Sequence, residues 1–416
     1  MKEEIAAALK NKHFLLLWSS QFLSQVAVNV MTFLLILKTF SETGSTIASS
    51  MVWVVFILPA IFLAPFSAAY VDTVDRRKVL IFSNLAQGLV ILGYSFIHSS
   101  YFFLSYGVVL AYSLLNQFYV PAELATLPTV VPEKSLAFAN GLFLITLQIA
   151  VVIGYGTAGL LSNAIGFGGT FMAMSTTLFI AFIAVWFLPS MKPGAKLDKF
   201  GGGILRFFRG TMEGYDFIRR DANVYIPFLL IVSLQVALAV VLVNLPALAV
   251  DVLGVKANYA GSLIAFPAGF GAFLGTLLIP KLTFMFRKKV IIDWSFLFLT
   301  GALWSLVFIV PYISNDYVRI PYLVFNFSIL GLSFVNIFIT AQTYLQVMTP
   351  TALMGRVFGN IWFTTTSATV LPLLFSATIT EILGVRQLAF TLGLLVLIAW
   401  AFSVKYGDKL LRVKNE

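Results

Sequence analysis

The sequence predicts an all-α membrane protein in which twelve transmembrane helices form two pseudo-symmetric six-helix bundles. Hydrophobic residues make up 60% of the chain and charged residues only 11%, against roughly 25% charged residues in soluble domains. Long apolar stretches recur along the whole chain, and the loops between them carry nearly all of the charge. The basic residues also fall on alternate loops, which is the pattern of a chain that crosses a bilayer repeatedly.

A membrane helix needs roughly 20 apolar residues to cross about 30 Å of hydrocarbon. Twelve stretches satisfy this length, and we number them as spans 1 to 12. They lie near residues 14–38, 47–70, 79–98, 101–122, 137–163, 168–188, 224–250, 258–282, 290–313, 322–346, 357–380 and 387–406. Span 1 follows a short segment of mixed charge and has no small-residue cleavage site, so it is predicted to be a retained anchor rather than a signal peptide.

The distribution of the 27 lysine and arginine residues predicts the orientation. With the N-terminus inside, only Lys38, Lys256, Arg319 and Arg386 fall toward the outside. This asymmetry follows the positive-inside rule and predicts that both termini are cytoplasmic, in the inner membrane of a prokaryote. The net charge of +10 therefore indicates membrane topology and no nucleic-acid partner.

A cytoplasmic segment between spans 6 and 7 divides the chain. We predict an N-terminal bundle at 1–190, a linker at 191–222 and a C-terminal bundle at 223–416. In the linker, apolar residues recur at helical spacing against basic ones, which predicts an amphipathic helix on the lipid surface. The apolar residues are Ile204, Leu205, Phe208, Met212 and Tyr215, and the charged ones include Arg206, Arg209, Glu213 and Arg220. Docking of a specific partner is the alternative.

The two halves also repeat each other. A proline turn precedes a new helix at 127–143 and again at 345–362, and a basic cluster follows span 2 at 75–78 and span 8 at 287–289. Parallel repeats of six helices place a substrate site near the membrane midplane in many secondary transporters.

Two motifs carry a resemblance to a known family. The run AAYVDTVDRRK at 68–78 resembles the signature loop of the major facilitator superfamily. The run TYLQVMTPTALMGRVFGN at 343–360 resembles the branch that contains macrolide-efflux proteins and enterobactin exporters. This resemblance implies the major facilitator fold and transport by alternating access, without enzymatic activity.

Within the signature loop, the resemblance implies a cytoplasmic gate. Asp72 matches the family's aspartate, and Arg76, Arg77 and Lys78 match its basic residues, whereas Ala68, Thr73 and Asp75 depart from the pattern. In the family, this loop packs against the start of span 11, where Arg356 lies. A carboxylate near a helix N-terminus meets unpaired N–H groups, which favours the contact. The alternative is that Asp72 pairs only with arginines of its own loop.

Span 5 resembles the exporter-associated glycine pattern of the superfamily. Gly154 and Gly159 fit this pattern, while Ala150, Tyr155 and Ala158 replace its other positions. Small residues at this spacing also let helices pack closely, which is the alternative explanation.

Polar residues within spans normally face the bundle interior or a cavity. Gln21, Gln25, Asn29 and Thr32 share one face of span 1 by their spacing. The resemblance implies that spans 1, 4, 7 and 10 line the cavity, although each residue is equally suited to a helix–helix hydrogen bond. The further substrate candidates are Tyr112, Asn116, Tyr119, Gln148, Tyr155, Ser233, Asn244, Ser333, Asn336 and Thr340.

Coupling to protons requires a carboxylate whose protonation responds to access. None of the 17 acidic residues lies deep within a span, and the best candidates at the membrane edge are Glu123 and Asp293. Relatives in the resembling branch usually have an acidic residue in span 1, where this chain has Val28 and Asn29, and a basic residue where it has Glu123. The alternative is that Glu123 is an ordinary carboxylate at a helix end.

Together these observations predict a secondary transporter that exports a small amphipathic organic molecule, with proton antiport as the energy source. The alternative is a lysophospholipid or lipid flippase of the same fold. Expected partners are the substrate, protons and membrane lipids, and the protein is expected to be a monomer. No nucleotide-binding loop, cysteine or metal-ligand cluster occurs, so no cofactor and no metal are predicted.

Overall fold

The structure is a computed structural model that describes residues 9–98, 101–191, 200–350 and 353–410. Twelve long helices account for most of this part of the chain. In chain order they are α1 Lys12–Thr43, α2 Thr46–Val71, α3 Arg76–Ile97, α4 Leu104–Val130, α5 Leu136–Trp186, α6 Phe200–Arg220, α7 Ala222–Asp251, α8 Phe266–Met285, α9 Lys288–Phe308, α10 Asp316–Met348, α11 Met354–Leu383 and α12 Val385–Leu410.

The predicted all-α fold with twelve membrane crossings is confirmed. Helix α5 contains two crossings, because Gly166 interrupts it with a φ of 73° and a ψ of 171°, which favour glycine. Helix α6, which includes most of the predicted linker, lies between the sixth and seventh crossings in chain order. Within the part of the chain that the structure describes, ten helical stretches are long and apolar enough, by length and composition, to cross a membrane. Helix α4 is not one of them, because Asn116, Gln117 and Glu123 lower its hydropathy.

Local capping fixes several helix ends. Asn11 begins α1, and its side-chain oxygen accepts hydrogen bonds from the backbone N–H groups of His13 and Phe14 at 3.0 and 3.2 Å. Gly44 ends the same helix in the left-handed conformation, with a φ of 65°. Such caps satisfy backbone groups that a helix end leaves unpaired.

The chain divides into two compact units. Unit 1 comprises residues 1–44 and 51–208, and it contains α1, α3, α4, α5 and most of α2. Helix α1 packs extensively along α5, and α3 packs against both α4 and α5. The side chains of α1 are therefore largely buried, and Phe14, Leu17 and Tyr119 join one hydrophobic cluster.

Unit 2 comprises residues 45–50 and 209–416. Helix α8 packs along α10, and α9 packs against α10 and α12. Two glycines allow the contact between α8 and α10 to be unusually close. A Cβ on Gly271 of α8 would lie 1.8 Å from the Ser328 oxygen, and a Cβ on Gly331 of α10 would lie 1.8 Å from the Ala268 oxygen. The backbones of these two helices touch directly, as small residues permit in membrane bundles.

Candidate functional site

A buried chain of polar side chains crosses unit 1 and ends at Glu123. The Tyr119 hydroxyl donates a hydrogen bond to Glu123 Oε1 at 2.9 Å, and it lies 3.3 Å from the Ser20 hydroxyl. Asn84 Nδ2 donates to Ser20 Oγ at 3.1 Å, and Ser24 Oγ donates to Asn84 Oδ1 at 3.0 Å. This network of hydrogen bonds thus connects α1, α3 and α4 through their side chains.

Glu123 is 3% exposed, so its carboxylate is buried rather than solvated at a helix end. Within the described part of the chain, no basic side chain lies within ion-pair distance of it. The guanidinium of Arg76 on α3 contacts the backbone of α4 instead, since its Nη1 donates to the backbone oxygen of Ala125 at 2.8 Å. A buried carboxylate without a cation is costly to ionise, which makes its protonation sensitive to access of water.

Asp293, the second acidic candidate, lies in a different environment. Its Oδ2 is 3.9 Å from Lys289 Nζ, and its Oδ1 accepts a hydrogen bond from the Ser403 hydroxyl. A neighbouring cation compensates a carboxylate charge directly. Of the two candidates, Glu123 is therefore the one without charge compensation.

The polar stripe predicted on α1 is differently buried along its length. Gln21 is buried, and its Nε2 donates to the Phe143 backbone oxygen at 3.2 Å, whereas its Oε1 has no partner. Gln25 and Asn29 are half-buried, and Asn29 Nδ2 donates to the backbone oxygen of Gln25 at 2.7 Å. Thr32 is buried. The stripe therefore combines fully buried side chains, Gln21 and Thr32, with the partly exposed side chains of Gln25 and Asn29.

The other candidates of unit 1 vary in the same way. Tyr155 is buried, accepts a hydrogen bond from Trp53 Nε1 at 3.1 Å and stacks on Phe33. Tyr112 is also buried, Asn116 is half-buried and Gln148 is exposed. Tyr155 thus serves a contact between helices, as the alternative interpretation held for it.

In unit 2, Asn244 of α7 binds α11. Its Nδ2 donates to Ser376 Oγ at 3.2 Å and to the Val240 backbone oxygen at 2.8 Å, and its Oδ1 accepts from Thr380 at 2.7 Å. These bonds use both ends of the amide, so Asn244 is a helix–helix contact. Ser233, the other candidate on α7, is exposed.

Helix α10 presents a buried polar stripe. Ser333, Asn336, Thr340 and Tyr344 recur every three or four residues and are all buried. Among the residues that the structure describes, the Ser333, Thr340 and Tyr344 hydroxyls and Asn336 Oδ1 have no hydrogen-bond partner. Buried polar groups are normally paired with protein, water or ligand. This stripe includes three of the predicted substrate residues, Ser333, Asn336 and Thr340, and adds Tyr344, which our sequence analysis missed.

The residues predicted to form the gate pair within their own units. Asp72 Oδ1 lies 3.8 Å from Arg76 Nη2. Arg77 donates to the backbone oxygen of Trp186, and Lys78 is exposed. Asp75, at a position where the family pattern has glycine, caps α3 and accepts hydrogen bonds from both Ser190 and Met191. The loop is thus fixed to the end of α5.

Arg356 forms an ion pair with Glu213 of the linker helix α6. Asn360 Nδ2, one turn further along α11, donates to the Thr211 backbone oxygen at 3.0 Å. A Cβ on Gly214 would lie 2.9 Å from the Arg356 oxygen, so α6 and α11 are in close contact there. On the linker, Phe208, Met212 and Tyr215 remain exposed. The side chains of Ile204, Leu205 and Arg206 lie outside the described residues.

Sequence reasoning did not identify Ser20, Ser24 and Asn84 as members of the Glu123 network. These residues are visible in the sequence as polar side chains within apolar spans, at Ser83–Asn84 and at the serines of α1. Hydrophobic periodicity, however, does not show which helices become neighbours. Within the described residues, no group of three or more histidine, aspartate or glutamate side chains is placed to hold a metal ion.

The family is established by comparison with known proteins. The sequence profile of the Major Facilitator Superfamily matches residues 17–372. The chain therefore belongs to this superfamily and is a multi-pass membrane transporter, not an enzyme. The resemblance inferred from the signature loop is confirmed.

Individual relatives are distant but extend over much of the chain. Macrolide efflux protein A of Streptococcus pyogenes is 24% identical over 391 residues, which are 92% of this chain and 93% of that protein. The putative bacilysin exporter BacE of Bacillus subtilis is 26% identical over 266 residues, 61% of each chain. The crystal structure of the nucleoside transporter NupG has a TM-score of 0.69 at 13% identity, covers 95% of this chain and 100% of that chain, and supports the fold alone.

Proposed function

We propose that this transporter exports a small amphipathic organic molecule by alternating access, driven by proton antiport. The observation that carries the proposal is Glu123, a buried carboxylate in the core of unit 1 that has no cationic partner among the described residues. Two relatives are named as exporters or efflux proteins, which supports the outward direction.

The candidate substrate residues in this proposal are polar and uncharged, and each unit has its own set. Unit 1 has the half-buried Gln25, Asn29 and Asn116. Unit 2 has Asn336 and Thr340, whose side-chain oxygens have no partner among the described residues. Amide and hydroxyl groups without partners can exchange hydrogen bonds with a ligand. Aromatic and aliphatic neighbours supply the apolar contacts that an amphipathic molecule needs.

Protonation of Glu123 would remove a buried charge, and deprotonation would require that water reach the carboxylate. Alternating access changes the exposure of groups within a bundle, so it changes the free energy of ionising such a carboxylate. Asp293 is the second proton candidate, but its pairing with Lys289 makes it the weaker one.

A transport experiment tests this function. Purified protein in liposomes is given erythromycin, with and without a pH gradient, and Glu123→Gln is compared with Asp293→Asn. We expect the gradient to drive wild-type and Asp293→Asn transport, and we expect Glu123→Gln to lose gradient-driven transport while it retains exchange. The neutral amide mimics the permanently protonated side chain.

A parallel assay with a fluorescent lysophospholipid tests the flippase alternative. Gradient-independent movement of the lipid, with Glu123→Gln fully active, would contradict proton antiport and favour the flippase. Gradient-driven efflux without lipid movement would support the exporter.

We further propose that the loop at Asp72 gates the cytoplasmic side, as the family resemblance implies. Asp72→Asn is expected to favour the inward-open state by about 1–2 kcal/mol if the carboxylate contacts a helix end in the closed state. Spin-label distances across the cytoplasmic side report this shift. The exposed Glu133→Gln provides a matched control. Identical distance distributions in Asp72→Asn and wild type would show that the loop has only a structural role.

The proposed topology places both termini in the cytoplasm and the protein, as a monomer, in the inner membrane. Because the chain has no cysteine, single introduced cysteines can be labelled without background. We expect labelling from outside at Thr43 and Asn315 but not at Thr73 or Gly202. The opposite pattern would refute the orientation.

A further inference from the structure

The hydrogen bonds of the Glu123 network have a common direction. Tyr119 gives its only hydroxyl proton to Glu123, so the 3.3 Å contact with Ser20 requires Ser20 to be the donor. Asn84 in turn donates to Ser20, and Ser24 donates to Asn84. Each donor thus points toward the carboxylate, from Ser24 through Asn84, Ser20 and Tyr119.

Aligned donors of this kind polarise one another and stabilise negative charge at the acceptor end. We propose that Tyr119, Ser20, Asn84 and Ser24 are positioning residues that set the proton affinity of Glu123 through this chain of donors. The proposal rests on the proposed function only in assuming that Glu123 exchanges a proton during transport.

Other groups near Glu123 do not replace this support. Tyr112 lies about three turns earlier on the same helix and is buried. On α3, Arg76 uses its guanidinium on the Ala125 backbone oxygen and lies 3.8 Å from Asp72. On α1, the network contributes only the hydroxyls of Ser20 and Ser24, which carry no charge. Tyr119 is the single side-chain donor to the Glu123 carboxylate among the described residues.

One hydrogen bond of the Glu123 network is sensitive to helix movement. The Ser20–Tyr119 contact joins α1 to α4 and, at 3.3 Å, is the longest of the four hydrogen bonds. A small displacement of α1 relative to α4 would therefore break it first, because a hydrogen bond is lost beyond about 3.5 Å. The proton affinity of Glu123 would then depend on the packing of α1 within unit 1.

Infrared difference spectroscopy tests the inference without a transport substrate. The full-length protein in lipid nanodiscs is titrated with acid, and the carbonyl band of protonated Glu123 is assigned by its loss in Glu123→Gln. We expect Tyr119→Phe to shift the midpoint of this band to higher pH by roughly one unit, because a hydrogen bond to a charged group is lost.

We expect Ser20→Ala and Asn84→Ala to shift the midpoint in the same direction but less, while Ser20→Thr, which keeps the hydroxyl, restores the wild-type value. Tyr94→Phe is the matched control, since it removes another buried tyrosine hydroxyl, bonded to Ser105 at 2.8 Å and remote from the network. A thermal melt of each variant identifies any general loss of structure.

Different results would refute the positioning role of the network and the proposed proton antiport. If the band midpoint of Tyr119→Phe equals that of wild type, the positioning role is refuted even where transport is gradient-driven. If the midpoints shift as expected but wild-type flux is independent of the pH gradient, the network controls Glu123 and only proton antiport is refuted. A shift of similar size in Tyr94→Phe would show a global effect and would also refute the positioning role.

Discussion

Gly154 offers a direct test of why span 5 carries glycines. A Cβ at this position would lie 2.3 Å from Asn29 Cβ and 2.9 Å from the Val30 backbone nitrogen. Ordinary carbon contacts are about 3.5–4.0 Å. In Gly154→Ala, α1 and α5 would have to separate by about 1 Å or more to remove this overlap.

The expected free-energy change combines two opposing effects. Overpacking typically costs about 1–3 kcal/mol, and the upper end applies because backbone atoms must move. Alanine in a helix interior recovers about 1 kcal/mol relative to glycine. The net destabilisation of Gly154→Ala is therefore about 2 kcal/mol.

Gly141 provides the matched control on the same helix, since nothing lies within 4 Å of a Cβ built there. Gly141→Ala should gain about 0.5–1 kcal/mol from helix propensity. We expect the melting temperature in detergent to fall by a few degrees in Gly154→Ala and to stay equal or rise in Gly141→Ala. Equal melting temperatures in the two variants would refute the packing explanation. Lost export in a Gly154→Ala protein of wild-type stability would instead favour the exporter-specific role.

Three other predictions follow from the contacts of unit 2. Gly271→Ala should destabilise the protein far more than Gly301→Ala in a thermal melt, because only the first Cβ would overlap a helix backbone. A double-mutant cycle on Glu213 and Arg356, with both removed singly and together, should give a coupling of about 0.2–1 kcal/mol, since both side chains are nearly half exposed. Asn244→Leu should lower stability by about 1–3 kcal/mol in denaturant unfolding, and a neutral result would show that its bonds to α11 are not maintained.

The fold was predictable from the sequence because hydropathy and loop charge report directly on crossing and orientation. The residues 137–163 and 168–188, read as two spans, form a single helical stretch interrupted at Gly166. Hydropathy cannot show that only the backbone conformation of Gly166 separates the two spans, but this does not alter the number of crossings. The twelve crossings were therefore predicted, while their continuity was not.

The site was only partly predictable, for a different physical reason. The spacing of Gln21, Gln25 and Asn29 revealed a polar face of α1 because it depends on one helix alone. The network at Glu123 requires three helices to meet, and no local pattern specifies that Asn84 will lie between Ser20 and Ser24. The pairing of Arg356 with Glu213 was missed likewise, since family resemblance suggested a partner in another loop.

Helix α1 carries two polar faces, and this arrangement leads to a hypothesis for how the proposed proton and substrate sites are coupled. Ser20 and Ser24 lie about 100° around the helix from Gln21 and Gln25, because successive residues rotate by that angle. The serines are buried in the Glu123 network, whereas Gln25 and Asn29 are half-buried. A rigid rotation of α1 that stretches the Ser20–Tyr119 bond would also displace the amides of the other face. Substrate and proton then need not touch, because one helix transmits the change between them. On this hypothesis, Ser20→Ala alters the pH dependence of erythromycin efflux and leaves the affinity for erythromycin unchanged. Gln25→Ala alters the affinity and leaves the pH dependence unchanged. If both variants change the pH profile and the affinity in parallel, the two faces do not act separately.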